Sequence, residues 1–162
     1  MTKAAPMHDK EEQRIASLHK TGLLDSGGSE RFDKITALAT QTFKVETSVV
    51  SLVDTDRQWF LSSCGLDEKE TARDVAFCAH AINEKTIMVV NDARADPRFK
   101  DNPLVTEHPH IRFYAGAVIN DPEGLPLGTL CIFDPEPREF SMQDQNTLRT
   151  MANLVEQGIF GL

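Results

Sequence analysis

Two cysteines and a histidine are the residues of this sequence best suited to chemistry. Cys78 and His80 stand in the run Phe77-Cys78-Ala79-His80-Ala81-Ile82, which reads as the start of a short helix from Ala76 to Glu84. A helix start offers unpaired backbone amides to an anionic group, and a thiol placed there has a lowered pKa and greater reactivity. His80 adds a donor or acceptor whose charge changes near neutral pH. Cys131, in Leu130-Cys131-Ile132, is a further thiol on a strand. The plainer reading is that the cysteines are small buried residues, Phe77 and Ala81 belong to the core, and His80 pairs with a backbone carbonyl.

Asp92, Asp96, Arg98 and Phe99 form the densest polar cluster in a long connection. Asp92 can cap the turn after it, and Asp96-Pro97 is a good start for one helical turn. The forked donors of Arg98 suit a carboxylate, either a ligand's or one of the protein's own in a latch that holds the segment shut. Arg73 poses the same question. Tyr114, Gly116 and Val118 alternate along one strand and share a face, as do Thr129 and Cys131 on its neighbour. If that face looks into a pocket, Tyr114 and Thr129 supply hydroxyls and Gly116 supplies room. His108-Pro109-His110 has no cysteine or carboxylate pair nearby at ligand spacing, so no metal is expected.

These residues need elements to hold them. Asp9 with Glu12 suggests a capping box for a first helix that Gly22 ends. Its apolar stripe is thin, mainly Ile15 and Leu18, so docking on a partner or a second copy is expected rather than burial. A second helix begins near Ser29, with Phe32, Ile35, Leu38, Ala39 and Phe43 facing a core. Thr47 to Val53 and Gln58 to Ser63 read as a hairpin around Asp54-Thr55-Asp56. Leu66 to Asp74 reads as an exposed crossing loop, Thr86 to Val90 as a strand, and Asn91 to about His110 as a connection broken by Pro97, Pro103 and Pro109. Ile111 to Ile119 and Leu127 to Phe133 are the last two strands, joined by good turn chemistry at Asn120 to Gly124. Ser141 with Asp144 caps a closing helix whose stripe is Leu148, Met151, Ala152, Val155 and Ile159.

The order describes an α+β chain with one central antiparallel sheet, five strands of which are plain. Terminal helices cover one face and the crossover elements the other, and a pocket between sheet and crossover follows. At 162 residues one domain is expected over 9–162, after a flexible arm over 1–8. The formal charge of -8 disfavours phosphate backbones and any role needing a basic membrane-facing surface. No apolar run reaches the ~20 residues that span a bilayer, and no secretory signal opens the chain, so a cytoplasmic location is expected. Three cysteines without a close pair make neither a disulfide framework nor a zinc site.

An ordered set of short motifs resembles one class of GAF domain. It comprises Leu23-Leu24-Asp25, Phe32-Asp33, Val53-Asp54 with Arg57-Gln58-Trp59-Phe60, and Phe77-Cys78-Ala79-His80-Ala81-Ile82. It continues through Val90-Asn91-Asp92, Asp96-Pro97-Arg98-Phe99, Tyr114-Ala115-Gly116-Ala117, and Gly128-Thr129-Leu130-Cys131 ending at Asp134. The likeness runs from about Glu11 to about Val155, and such domains often precede histidine kinase or diguanylate cyclase domains in bacteria. It implies a six-stranded sheet, a ligand pocket beneath the crossover, and a homodimer through the terminal helices.

The resemblance names no ligand, because GAF domains take cyclic nucleotides, tetrapyrroles, haem, amino acids or nothing. The expectation is therefore a non-catalytic sensor of an unidentified small molecule or cofactor, read out by a partner such as a kinase or cyclase. Phe77, Cys78, His80, Asp92, Arg98, Phe99, Tyr114, Gly116, Thr129 and Cys131 are its pocket candidates. One alternative is an interaction module whose pocket is filled by Phe77, Phe99 and Tyr114. Another is an enzyme like the free methionine sulfoxide reductases, although the settings of Cys78 and Cys131 differ from the loop cysteines of that branch. Tetrapyrrole attachment would use a cysteine near a histidine, as Cys78 and His80 are, but the aspartate-bearing signature is missing.

Overall fold

Alternation of β-branched and small residues in the middle of the chain builds the sheet on which everything else rests. In the computed structural model, which describes residues 3–161, two helices come first: α1 (Glu11–Lys20) and α2 (Glu30–Phe43). Strands β1 (Thr47–Val53), β2 (Arg57–Cys64) and β3 (Glu70–Ala72) follow, then α3 (Phe77–Ala81) and β4 (Ile87–Val90). The chain continues through α4 (Pro103–Thr106), β5 (Phe113–Asn120), β6 (Pro126–Asp134) and α5 (Met142–Phe160). The six strands form one sheet in the order β3-β2-β1-β6-β5-β4, antiparallel at each pairing. Central β1 and β6 are buried along their whole length, because both of their faces are covered.

One face carries a core of Phe32, Ile35, Ala39 and Phe43 from α2 and Leu148, Met151, Ala152 and Val155 from α5, set against Val50, Leu52, Leu130 and Ile132 of the sheet. Ser29 caps α2 by accepting from the Arg31 amide, and Ser141 and Asp144 cap α5 reciprocally. The opposite face carries α3, α4 and the connections between them over Val49, Val53, Tyr114, Cys131 and Phe133. The two-layer covering expected from the element order is the one observed.

Five details differ from the sequence reading. The crossing loop contains β3, the sixth strand, which pairs with Arg57, Gln58 and Trp59 of β2; it is polar because it lies at the sheet edge. Helix α1 packs on its own domain: Arg14 and Leu18 are both fully buried, so an arginine beside Leu18 supplies burial that apolar spacing did not reveal, while Glu12, Gln13 and Ala16 stay exposed. It starts at Glu11, with Lys10 at the N-cap and no side-chain cap, so the box of Asp9 and Glu12 does not form. Leu38 lies on the exposed side of α2, outside the core stripe. In the long connection, Pro103 opens α4, a position where the missing N–H costs nothing, and Asn102 caps it by accepting from the Leu104 amide at 2.8 Å. Of the N-terminal arm, Met1 and Thr2 lie outside the described residues, while Lys3 and Pro6 offer backbone carbonyls to α3 and its C-terminal end. No helix among the described residues is long and apolar enough to cross a membrane.

Candidate functional site

The sheet pleat decides which side chains reach the crossover face. In β5 and β6, Gly116 lies opposite Cys131 and Val118 opposite Thr129, and Tyr114 and Cys131 both belong to the crossover core. A Cβ at Gly116 would collide with the Tyr114 hydroxyl, so the glycine makes room for the phenol rather than lining the space itself. Above this floor, Phe77 stacks face to face on Phe99 at 4.0 Å and tilts against Tyr114 at 5.1 Å. All three rings are buried.

Beside the rings lies a cavity of about 80 Å³. Its walls are largely apolar: Val49, Phe60, Leu66, Leu104, Ile111 and Phe133, with Phe77 and Tyr114 at one side. Gln58, Glu68, Thr71 and His108 add polar atoms, and the Cys78 and Cys131 thiols complete the lining. By the same measure a cavity of about 150 Å³ admits benzene, so this one suits a molecule of only a few heavy atoms unless α4 moves.

A seam of buried polar side chains runs under the cavity. Gln58 donates to Thr71 Oγ1 at 2.7 Å and accepts from Ser51 at 3.0 Å. Cys78 Sγ lies 3.0 Å from Thr129 Oγ1, 3.2 Å from the Tyr114 hydroxyl and 4.0 Å from Cys131 Sγ. Hydrogen bonding from Cys131 first, with Thr129, Tyr114 and Ser51 adding to it, outweighs burial and holds the Cys78 thiol below its ordinary pKa. The Cys131 proton, shared with Cys78 and kept from water, is held well above the ordinary value. Burial likewise pushes Tyr114 up. The seam can therefore stabilise one thiolate, at Cys78, with neutral hydroxyls around it.

The structure thus brings together Phe77, Cys78, Phe99, Tyr114, Gly116, Thr129 and Cys131. It does not bring in His80, Asp92 or Arg98. The His80 ring lies 3.0 Å from the Lys3 carbonyl and edge-on to Phe99, and burial lowers its pKa against the pull of that carbonyl. Asp92 caps the turn after it and pairs with Arg94 at 2.7 Å. Arg98 closes on Asp96 at 2.8 Å and lies over the Phe99 ring, the internal latch rather than a ligand clamp. Arg73 also has an internal partner, Glu11, at 2.6 Å. Glu11 in turn accepts from the fully buried Arg14 at 2.9 Å. Burial opposes the Glu11 charge, but Arg73 and Arg14 prevail and hold its carboxyl at about 2. That trio ties α1 to the turn that feeds α3.

Sequence reasoning missed the β2 wall, Gln58 and Phe60, and the α4 wall, Leu104. The signal for the first was available, since Gln58 and Phe60 are two apart and share a strand face. His108, read only as a discarded metal ligand, lies at the cavity. Among the described residues no group of three or more His, Cys, Asp or Glu is arranged to hold a metal ion.

A model of the GAF domain family matches residues 28–159. The chain belongs to the GAF domain family. Among curated proteins it is 45% identical over 151 residues to cyclic di-GMP phosphodiesterase PA2567 of Pseudomonas aeruginosa, covering 93% of this chain and 26% of that protein. The GAF chain thus spans about a quarter of that relative's length. Among solved structures it is similar to the GAF domain of an Acinetobacter phosphoenolpyruvate-protein phosphotransferase, with a TM-score of 0.64, 15% identity and coverage of 91% and 92% of the two chains. It is similar also to the free methionine-R-sulfoxide reductase of Neisseria meningitidis, with a TM-score of 0.64, 18% identity and coverage of 96% and 93%. At such identities these two likenesses show the fold alone.

Proposed function

We propose that this chain is a non-catalytic regulatory GAF module, cytoplasmic and homodimeric through its terminal helices, that senses a small and mainly apolar molecule. The observation that carries the reading is the cavity between the sheet and the Asp92–His110 segment, walled by Leu104 and Ile111 on one side and Val49, Phe60 and Phe133 on the other. Entry of a ligand larger than a few atoms displaces α4, which Asn102, the Arg112 guanidinium and short backbone bonds hold. Displacement is passed to the turn at Arg73, and through Glu11 to α1. A ligand works as a signal here only if it prefers one arrangement of these parts over the other. The name of the Pseudomonas relative supports an output in second-messenger signalling, with a kinase or cyclase as the further possibilities.

A second reading has its own observation. The Phe77, Phe99 and Tyr114 rings fill the space beneath the crossover, as an interaction module with a closed pocket would require. Native mass spectrometry beside the denatured mass separates the two. The sensor predicts a native mass above that of the polypeptide, lost in Leu104→Trp, which fills the cavity. A clean apo mass, with no shift in melting temperature across small apolar compounds, favours the interaction module and overturns the sensor.

A further inference from the structure

The Cys78–Cys131 pair brings two thiols into contact at the edge of a cavity. Its sulfurs are 4.0 Å apart, on elements 53 residues apart in sequence, α3 and β6. Both thiols are nearly shut off from bulk water, yet both line the cavity. A reagent reaching them must therefore be small enough for a space of about 80 Å³, and a mainly apolar wall favours a neutral one. Thr129 Oγ1 and the Tyr114 hydroxyl, at 3.0 and 3.2 Å from Cys78 Sγ, supply donors for a thiolate and for oxygen leaving an attacked O–O bond. Cys64, the remaining cysteine, is half-buried at the end of β2, with the α2 residue Thr40 within 3.5 Å of its sulfur.

We propose that Cys78 and Cys131 are a redox site, oxidised to an intramolecular disulfide by a small neutral hydroperoxide that enters the cavity. Cys78 thiolate attacks one peroxide oxygen. The O–O bond breaks, the distal oxygen leaves as hydroxide and takes a proton, and Cys78 becomes a sulfenic acid. Cys131 then attacks the Cys78 sulfur. The S–O bond breaks, the Cys131 proton leaves with the departing oxygen as water, and an S–S bond forms. Two thiols and one hydrogen peroxide give one disulfide and two waters, with two electrons passing from sulfur to oxygen. A dithiol reductant reverses the change by thiol–disulfide exchange.

The bond length of a disulfide is about 2.05 Å, so closing the gap draws the first turn of α3 toward β6. That turn carries Phe77 and follows the Arg73 turn tied to α1, so oxidation moves the wall of the cavity. The inference stands on the thiols and the cavity, and it does not depend on the ligand reading.

The test uses the whole chain, reduced with dithiothreitol, freed of it, and exposed to hydrogen peroxide. Free thiols are then alkylated in denaturant and the unreduced protein is digested for peptide mass mapping. The expected result is a loss of two hydrogens from the intact mass and a peptide bearing Cys78 joined to one bearing Cys131, both reversed by dithiothreitol. Cys64→Ser retains the cross-link, and in Cys131→Ser a cyclic-diketone probe present as the protein is denatured traps sulfenic acid at Cys78. Recovery of Cys78 and Cys131 as alkylated thiols after Cys64 has oxidised overturns the proposal. So does a disulfide made only through Cys64. The wild-type map decides the matter even if a cysteine variant fails to fold.

Discussion

The two faces of the sheet are built on different principles. On one, α2 with 14 residues and α5 with 19 press periodic apolar stripes against Val50, Leu52, Leu130 and Ile132. On the other, α3 and α4 have five and four residues: α3 has no side-chain cap and is held by the burial of Phe77, Cys78, Ala79 and Ala81, while Asn102 caps α4 and Asp92 and Asp96 fix the turns between them. The first face stores stability in buried area. The second packs its apolar side chains on short pieces around a buried polar seam and a cavity, and such short pieces open at lower cost than long helices in a continuous core. A sensor gains from that division, because the responsive face can rearrange while the other keeps the sheet intact.

The largest effect that tests this contrast lies on the helical face. Leu148 of α5 is fully buried in that core, and Leu148→Ala should cost roughly 3–4 kcal/mol, a lost transfer energy plus the cavity left behind. Urea unfolding measures it. A cost under about 1 kcal/mol would break the comparison, because the helical face would then not be the main store of stability.

The joint between the two faces is the next place to press. Glu11 accepts from Arg14, which is fully buried, and from Arg73, which is nearly so. Glu11→Gln leaves two guanidinium groups without their carboxylate. Removing one partner of a fully buried pair costs about 3–5 kcal/mol; Glu11 keeps some water contact, so about 2 kcal/mol is expected. Its carboxyl sits at about 2 in the fold against an ordinary 4.5. A depressed acid stabilises in full above its unfolded value and loses that stabilisation as pH falls through its folded value. The gap between wild type and variant should therefore be constant above pH 4.5 and close as pH falls toward 2. A gap independent of pH over that window would mean that charge is not what the trio contributes.

The two faces also differ in how much of them the sequence discloses. Leu148, Met151, Ala152 and Val155 recur at helical spacing, and Ser141 and Asp144 mark where α5 begins, so that face was legible almost residue by residue. Leu38 misled because a helical stripe has a margin, and only packing against α5 and the sheet fixes where the margin falls. On the crossover face β3 escaped notice: Glu70, Thr71 and Ala72 pair with β2 through their backbones at an edge and carry no apolar alternation. The burial of α1 escaped because Leu18 shares it with Arg14, and a charged residue gives no apolar signal. Within the site, alternation correctly set Tyr114 beside Gly116 and Thr129 beside Cys131. It could not choose their face, and it could not bring Cys78 to Cys131, since both depend on contacts between parts of the chain far apart in sequence. His80, Asp92 and Arg98 drew attention through their chemistry, yet each is satisfied by a neighbour: Lys3, Arg94 and Asp96.

The smallest expected effect gives the sharpest view of the difference between the faces. Asn102 is buried, caps α4 through the Leu104 amide at 2.8 Å, and donates to the Val75 carbonyl at 2.9 Å. It is thus the clasp between α4 and the turn ahead of α3. Asn102→Ala removes a cap and a buried hydrogen bond, each worth about 1 kcal/mol, but Val75 and Leu104, whose groups are freed, are only partly buried, so water can replace the lost partners. The expected global cost is therefore only about 1 kcal/mol. Its local signature should be larger: amide hydrogen exchange over 99–111 should speed up by roughly tenfold for each 1.4 kcal/mol of local opening energy lost, while amides of α2 and α5 change only with the global cost. Equal acceleration everywhere would mean that the crossover face unfolds with the rest of the molecule, and the independence on which ligand entry and thiol closure both rely would be lost. Acceleration confined to 99–111 would show that the clasp sets how readily this face opens, and would make Asn102 the position from which to tune it.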